Sequence, residues 1–433
     1  MVNDHNAHQH WSNKKAFILA AIASAVGVGN IWRFPYMAAA NGGGSFILPY
    51  LIAIALVGIP VMILEFFVGS KLSRTPLCAI QKLSKKYYLL GYVPLLFTFI
   101  IASYYVVVTG WTLAYFFFSL SGTIIPFSDF TQTDNSIYST FTVVLLLFII
   151  MRSSIKKGLE KLNMVLTPLF MLSLLVLLVG ALSTYGADKA IEYYTKIDPA
   201  YFFNFNTWTL AFSQAFFSLG VGFGLLLTYA GYSKSYKDMH TSSLIVSIVD
   251  TLVALLAGIL IFSLAFGNNI PMGAGPGFAF ESLLPALNAF PFSSLAVPLF
   301  FLLLFAAALT SAASLLEVPI TMAEDLFELK RPNASKIVFI ALALASLPSA
   351  LSYSGFGTEI FGMPFLDFMD AVFVGKLLPI AVLIFVLFLS WGYKPLKKEI
   401  SKLLPKFLVN PFLVLVKYLI PMFLLLLSVL QFV

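Results

Sequence analysis

The sequence predicts an all-α polytopic membrane protein: a 5+5 inverted repeat with broken first and sixth transmembrane helices, plus an eleventh helix. Three observations carry that expectation. Of the 433 residues, 60% are hydrophobic and 10% charged, so most of the chain has to lie in lipid rather than around a soluble core. Apolar windows of about 20 residues, the length that crosses a bilayer core, recur from end to end. Two of these windows are interrupted by glycines at corresponding places in the two halves, at Gly27 and Gly29 and again about 195 residues later at Gly220, Gly222 and Gly224.

In chain order the spans run roughly from Lys15 to Ala39, Phe46 to Ser70, Gly91 to Leu120, Tyr138 to Met151, Leu162 to Leu182, Asn206 to Tyr232, Ser242 to Phe266, Ala296 to Phe327, Lys336 to Leu351, Phe368 to Trp391 and Phe407 to Phe432. The fourth is short and is expected to extend past these limits. Residues 1–14 then form a tail, 15–183 the first five-helix repeat, 184–393 an external loop with the second repeat, and 394–433 a loop with the eleventh helix.

Lys and Arg orient the bundle, because cytoplasmic loops carry the positive excess. With the N-terminus inside, the tail and cytoplasmic loops hold 21 of the 26 Lys and Arg residues, and the opposite loops only Lys189 and Lys196. Arg33, Lys376 and Lys417 remain within spans. Eleven spans place the C-terminus outside, in a multi-pass cell (inner) membrane protein. The net charge of +7 follows from this sidedness and from anionic lipid, and it needs no nucleic acid. The polar leader lacks the cleavage pattern of a signal peptide, so the first span is expected to be retained. The single cysteine, Cys78, excludes an internal disulfide and reads as a buried small hydrophobe. His5, His8 and His10 read as part of a mobile tail rather than a metal site.

The glycine breaks are the functional signal. Glycine costs about 1 kcal/mol relative to alanine inside a helix, and unwound backbone at membrane depth is tolerated only where it lines an enclosed cavity. Two such breaks point to a substrate site at the midplane between the broken helices; close helix packing is the other reading of the same glycines. Half-helix ends expose N–H groups and carbonyls of opposite polarity, which suits an amino acid carboxylate together with bare cations.

The motifs "GNIWRFPY" (Gly29 to Tyr36) and "NGGGSFILPY" (Asn41 to Tyr50) carry a specific resemblance. So do "SYYVVVTGW" (Ser103 to Trp111), "QAFFSLGVGFG" (Gln214 to Gly224), "ALTSAAS" (Ala308 to Ser314) and "FLDFMD" (Phe365 to Asp370). In these the chain resembles prokaryotic members of the neurotransmitter:sodium symporter family, with its LeuT-type fold. The resemblance implies a first sodium site from the Ala25 carbonyl, Asn30, Ser218 and Asp250 with the substrate carboxylate. It implies a second from carbonyls of Ala23, Val26 and Ala307 with the hydroxyls of Thr310 and Ser311. Both sets are all oxygen, as an alkali cation requires. Without the family, Thr310 and Ser311 read as hydroxyls bonding to their own helix.

The substrate carboxylate would meet N–H groups around Gly27 and Gly29 and the hydroxyl of Tyr105. Biogenic-amine carriers in the family place an aspartate at the position of Gly27, so a glycine there implies a substrate with its own carboxylate. The matching side-chain pocket is Ile101, Phe217, Gly220, Phe223, Ala312 and Leu315, all uncharged, which favours an aliphatic or aromatic amino acid. Arg33 and Asp370 match the pair that closes the external path, with Phe217 as a lid; a structural ion pair is the alternative. Asp250 stands where most relatives place asparagine, and the later position used by some bacterial relatives for a glutamate is Ala254. Asp250 is therefore expected to supply the negative charge that balances sodium, making transport independent of chloride. Trp11, Tyr232 and Asp325 match the inner gate, but the usual arginine is His8, a pH-dependent partner for Asp325. Glu65 and Glu317 resemble span carboxylates of relatives, Lys376 has no assignable role, and Lys417 reads as snorkelling to an interface.

The function expected is sodium-coupled symport of a hydrophobic amino acid by alternating access. Transport of a carboxylated osmolyte, and sodium-dependent binding without transport, are the alternatives. An enzyme is not expected, since the spans lack a histidine, a cysteine pair and an HExxH-like run. Oligomeric state is not legible.

Overall fold

The computed structural model describes residues 9–183, 186–233, 238–271, 278–290, 292–357 and 359–430. His5 and His8 lie outside them. Among the described residues, eight segments are long and apolar enough to cross a membrane: Gly44–Lys71, Lys85–Ser121, Lys156–Leu182, Met239–Gly267, Ser293–Leu326, Arg331–Ala350, Phe365–Gly392 and Lys406–Val429. A pair bent by 47°, Lys14–Ala25 with Gly29–Ala40, makes the first span. The fourth is Asn135–Met151, which begins three residues before its expected start. The sixth is the broken pair Phe205–Leu219 and Leu225–Gly231. Every span read from the sequence is thus helical, because a backbone in hydrocarbon has to satisfy its own hydrogen bonds.

The first helix opens on Asn13, whose side chain accepts the Ala16 N–H at 2.9 Å, a cap that satisfies one orphan donor. It ends when Val26 turns extended, with φ −75° and ψ 112°. The break is therefore not made by glycine conformation. In the sixth span it is: Gly220, Gly222 and Gly224 have φ of 65°, 85° and 69°, the left-handed region that side chains with a Cβ rarely adopt.

The helices sort into two groups. The first, second, sixth and seventh spans pack on one another, both halves of the sixth lying along the second. The third, fourth, eighth and ninth form a second group, with the eighth along the third and fifth. The two breaks lie where these groups meet. A two-stranded antiparallel pair, Glu359–Ile360 with Met363–Pro364, precedes the tenth span.

Candidate functional site

At the first break, glycine serves close approach. A Cβ on Gly27 would lie 2.5 Å from Tyr105 Oη and 2.6 Å from Ser311 Oγ, and one on Gly29 would lie 2.7 Å from the Phe217 ring. The backbone between them is held by side chains. Gly27 N–H donates to Asn30 Oδ1 at 3.0 Å, and Val28 N–H donates to Tyr105 Oη at 3.0 Å. Asn30 in turn donates from Nδ2 to Asp250 Oδ1 at 2.7 Å, and the Ser218 hydroxyl donates to Asp250 Oδ2 at 2.8 Å. Asn30, Ser218 and Asp250, drawn from three spans, thus form one cluster that is at most 2% exposed.

The second oxygen cluster lies on the other side of the break. The Ser311 hydroxyl reaches across to the carbonyls of Val26 and Ala23, at 3.0 and 3.3 Å. Thr310 bonds within its own helix, to the carbonyls of Ala306 and Ala307, both at 3.1 Å. So one of the two hydroxyls follows the pattern expected without the family, and the other spans the two groups of helices.

Between the clusters a small cavity of about 30 Å³ is bordered by Ala25, Gly27, Gly29, Tyr105, Phe217, Ser218, Gly220, Phe223 and Leu315. Ser24, Asn30, Leu225 and Ser311 complete its wall. Ile101 and Ala312, expected in the pocket, are fully buried and do not border it. The wall has a polar pole at the break and an apolar remainder, the layout of a small-molecule site.

Latches are made at both ends. Towards the tenth span, Arg33 Nε lies 3.4 Å from Asp370 Oδ2, and its guanidinium sits 5.3 Å from the Phe217 ring centroid. Gln214 joins this latch to the break, accepting from Arg33 and donating to the Gly29 carbonyl at 3.0 Å. Tyr104 adds a donor to Asp370 at 3.3 Å. Beyond lies a wide cleft bordered by Asp367, Asp370, Arg33 and Lys376.

The opposite end departs from expectation. Trp11 packs edge-on against Tyr229 and Tyr232 and donates from Nε1 to the Tyr229 carbonyl at 2.8 Å, so it belongs there. The tail on either side of it is not loose over its described part: Gln9 accepts the Ile155 N–H, Ser12 N–H donates to Glu160, and His10 Nδ1 lies 3.3 Å from the Tyr232 carbonyl. Asp325 is partnered by Arg74, Nη2 to Oδ1 at 2.8 Å, and by the Thr75 hydroxyl at 3.1 Å. Tyr232 donates to Glu317 Oε1 at 2.6 Å. Arg331 holds Glu317 through two bonds of 2.8 and 2.7 Å.

The model of the sodium:neurotransmitter symporter family matches residues 8–140 and 127–433. The chain belongs to that family. A sodium-dependent transporter of Methanocaldococcus jannaschii is 35% identical over 423 residues, covering 91% of this chain and 84% of that protein. The transporter YhdH of Bacillus subtilis is 28% identical over 412 residues, with 91% and 89% covered. Among solved structures, MhsT in complex with L-phenylalanine superposes with a TM-score of 0.90 at 31% identity, over 98% of this chain and 99% of that one. As a member of the family this chain is a multi-pass, sodium-dependent symporter of LeuT-type fold, not an enzyme, and sodium is its co-transported ion.

For a symporter of this family, four placements were not legible beforehand. Arg74 and Arg331 count as loop charges in a sidedness tally, yet both are 5% exposed and paired with carboxylates. Glu65, in the second span, accepts the N–H of Gly222, which fixes the second break. A carboxylate in an apolar span is itself the signal for such a role. Lys417 lies 5.0 Å from the Trp391 ring centroid, a cation–π seat.

Proposed function

We propose that this symporter imports a hydrophobic amino acid, aliphatic or aromatic, by alternating access and without chloride. The observation that carries the reading is the cavity wall. Its polar pole is built from the first break, the Tyr105 hydroxyl and Ser218, and its remainder from Phe217, Phe223, Leu225, Leu315 and Gly220. Among the described residues no charged side chain borders it, which suits an apolar side chain, while the half-helix ends at the break and the Tyr105 hydroxyl suit a carboxylate. The L-phenylalanine bound to MhsT agrees with that chemistry.

In this reading sodium is the co-substrate at two places. Ala25, Asn30, Ser218 and Asp250 hold one ion with the substrate carboxylate, and Ala23, Val26, Ala307, Thr310 and Ser311 hold the other. Sodium first orders the segments around Ala25, at the first place, and Ala307, at the second, and so completes half of the carboxylate site. Because the carboxylate touches that ion, each ligand raises the affinity of the other by the same factor. The group of spans one, two, six and seven then moves against spans three, four, five, eight, nine and ten, opening the Arg33–Asp370 end and the Trp11–Asp325 end in turn. Positive loops put the Asp325 end in the cytoplasm, with the N-terminus, and the C-terminus on the opposite side.

Asp250 is the residue that removes the need for chloride: hydrogen-bonded to Asn30 and Ser218, it brings a fixed negative charge to the first ion's place. The test is uptake of radiolabelled amino acids by proteoliposomes, with and without an inward sodium gradient and with chloride replaced by gluconate. Accumulation of phenylalanine or leucine that needs sodium and ignores chloride is expected; accumulation that fails without chloride overturns the Asp250 assignment.

A further inference from the structure

We propose that Arg74, in the segment between the second and third spans, is the latch cation that closes the Asp325 end of the transport path. The inference rests on the alternating-access reading above. Arg74 binds Asp325 at 2.8 Å and lies 3.4 Å from Glu324 Oε2, so one guanidinium serves two adjacent carboxylates of the eighth span. All three side chains are 5% exposed or less.

The geometry bridges the two groups of helices. Arg74 follows the second span, which moves with the sixth; Asp325 closes the eighth, in the other group. The backbone of Arg74 is also locked to the sixth span, since a Cβ on Gly231 would collide with Arg74 Cα. Only a glycine at the end of that half-helix permits this approach. Thr75 makes the grip two-pronged. Its hydroxyl donates to Asp325 Oδ2 at 3.1 Å and accepts the Cys78 N–H at 3.4 Å, capping the helix Pro76–Leu83. One hydroxyl can do both because it carries one proton and two lone pairs. The carboxylate is therefore held by two consecutive residues of one short segment, and that segment cannot leave with the sixth span unless both bonds break.

A buried ion pair that loses one member leaves an uncompensated charge, whereas in an open, wet path each member is solvated. Loss of Arg74 thus disfavours the closed end alone and shifts the population towards opening. Cys78, the one cysteine of the chain, reports this directly. It is buried, and its Sγ lies 3.8 Å from Asp325 Oδ2, so it reacts only when the latch opens.

The experiment measures the rate of N-ethylmaleimide reaction with Cys78 in the full-length protein, in sodium medium, for the wild type, Arg74→Gln, Asp325→Asn and the double variant. Arg74→Gln is expected to react about tenfold faster or more, Asp325→Asn to react comparably faster, and the double variant no faster than the quicker single. Rates in Arg74→Gln equal to the wild type overturn the proposal, as do additive effects, which mark local loosening of the loop. Sodium-dependent phenylalanine binding, measured alongside, should persist in Arg74→Gln; its loss there shows a misfolded site and likewise overturns a pure latch role. Alkylation needs neither substrate nor flux, so a protein that binds but does not transport still shows the latch, and the two failures are read separately.

Discussion

Replacing Asp250 by asparagine tests charge balance at a single atom. The carboxylate is fully buried and accepts from Asn30 Nδ2 at 2.7 Å and from the Ser218 hydroxyl at 2.8 Å. Asparagine has the same shape but offers one acceptor and one donor group. Asn30 cannot reverse to suit it, because its Oδ1 already accepts the Gly27 N–H at 3.0 Å. Ser218 can, since a hydroxyl rotates to accept. The hydrogen bonds therefore survive with a loss of about 1–2 kcal/mol, the difference between charged and neutral acceptors. The missing charge costs more. The charge of a carboxylate that helps hold a sodium ion contributes about 3 kcal/mol at an effective dielectric of about 20, or roughly two decades in apparent sodium affinity. The assay is sodium titration of phenylalanine uptake in proteoliposomes, in chloride and in gluconate. Asp250→Asn is expected to need about 100-fold more sodium in gluconate, with part of the deficit restored by chloride. Sodium titrations of wild type and variant that coincide in gluconate would refute the reasoning.

Three further outcomes follow from the same geometry. Gly27→Ala places a Cβ 2.5 Å from Tyr105 Oη and 2.6 Å from Ser311 Oγ; overpacking of this kind costs about 1–3 kcal/mol, and equilibrium binding should weaken at least about fivefold, while unchanged binding would mean that the Tyr105 side has slack. Ser311→Ala removes the hydroxyl that reaches the carbonyls of Ala23 and Val26, so the sodium concentration for half-maximal uptake should rise about tenfold, a shift of about 1.4 kcal/mol, with the maximal rate retained; a lowered rate at unchanged sodium requirement would contradict the role. Glu317→Gln breaks the two-bond pair with buried Arg331 and should lower thermal stability by about 3–5 kcal/mol without selective loss of sodium affinity, which thermal unfolding with and without sodium separates.

The spans were legible because lipid leaves a backbone few options, and the first break because "SAVGVGNIWRFP" cannot continue as an ordinary helix. Yet the physical role of its glycines was not. Val26 turns the chain, while Gly27 and Gly29 keep Tyr105, Ser311 and Phe217 within reach. The three-span cluster of Asn30, Ser218 and Asp250 came from motifs; periodicity alone carries no sign that residues 188 and 220 positions apart in sequence share one hydrogen-bonded unit. Arg74 was hidden for a similar reason. A cation beside Lys71 in a basic loop reads as sidedness, and its partner lies 251 residues away. Ile101 and Ala312 were placed in the pocket by motif position, but motif position says nothing about which face of a helix the neighbouring side chains cover. Leu225, which opens the second half of the sixth span, borders the cavity instead.

Sodium-coupled import is tested most directly by concentrative uptake of L-phenylalanine into proteoliposomes containing the full chain, driven by an inward sodium gradient in chloride-free medium. Accumulation above the external concentration is expected, collapsing when the gradient is dissipated. Sodium-dependent binding with no accumulation would contradict it, leaving the site between the broken helices but not the transport assigned to it.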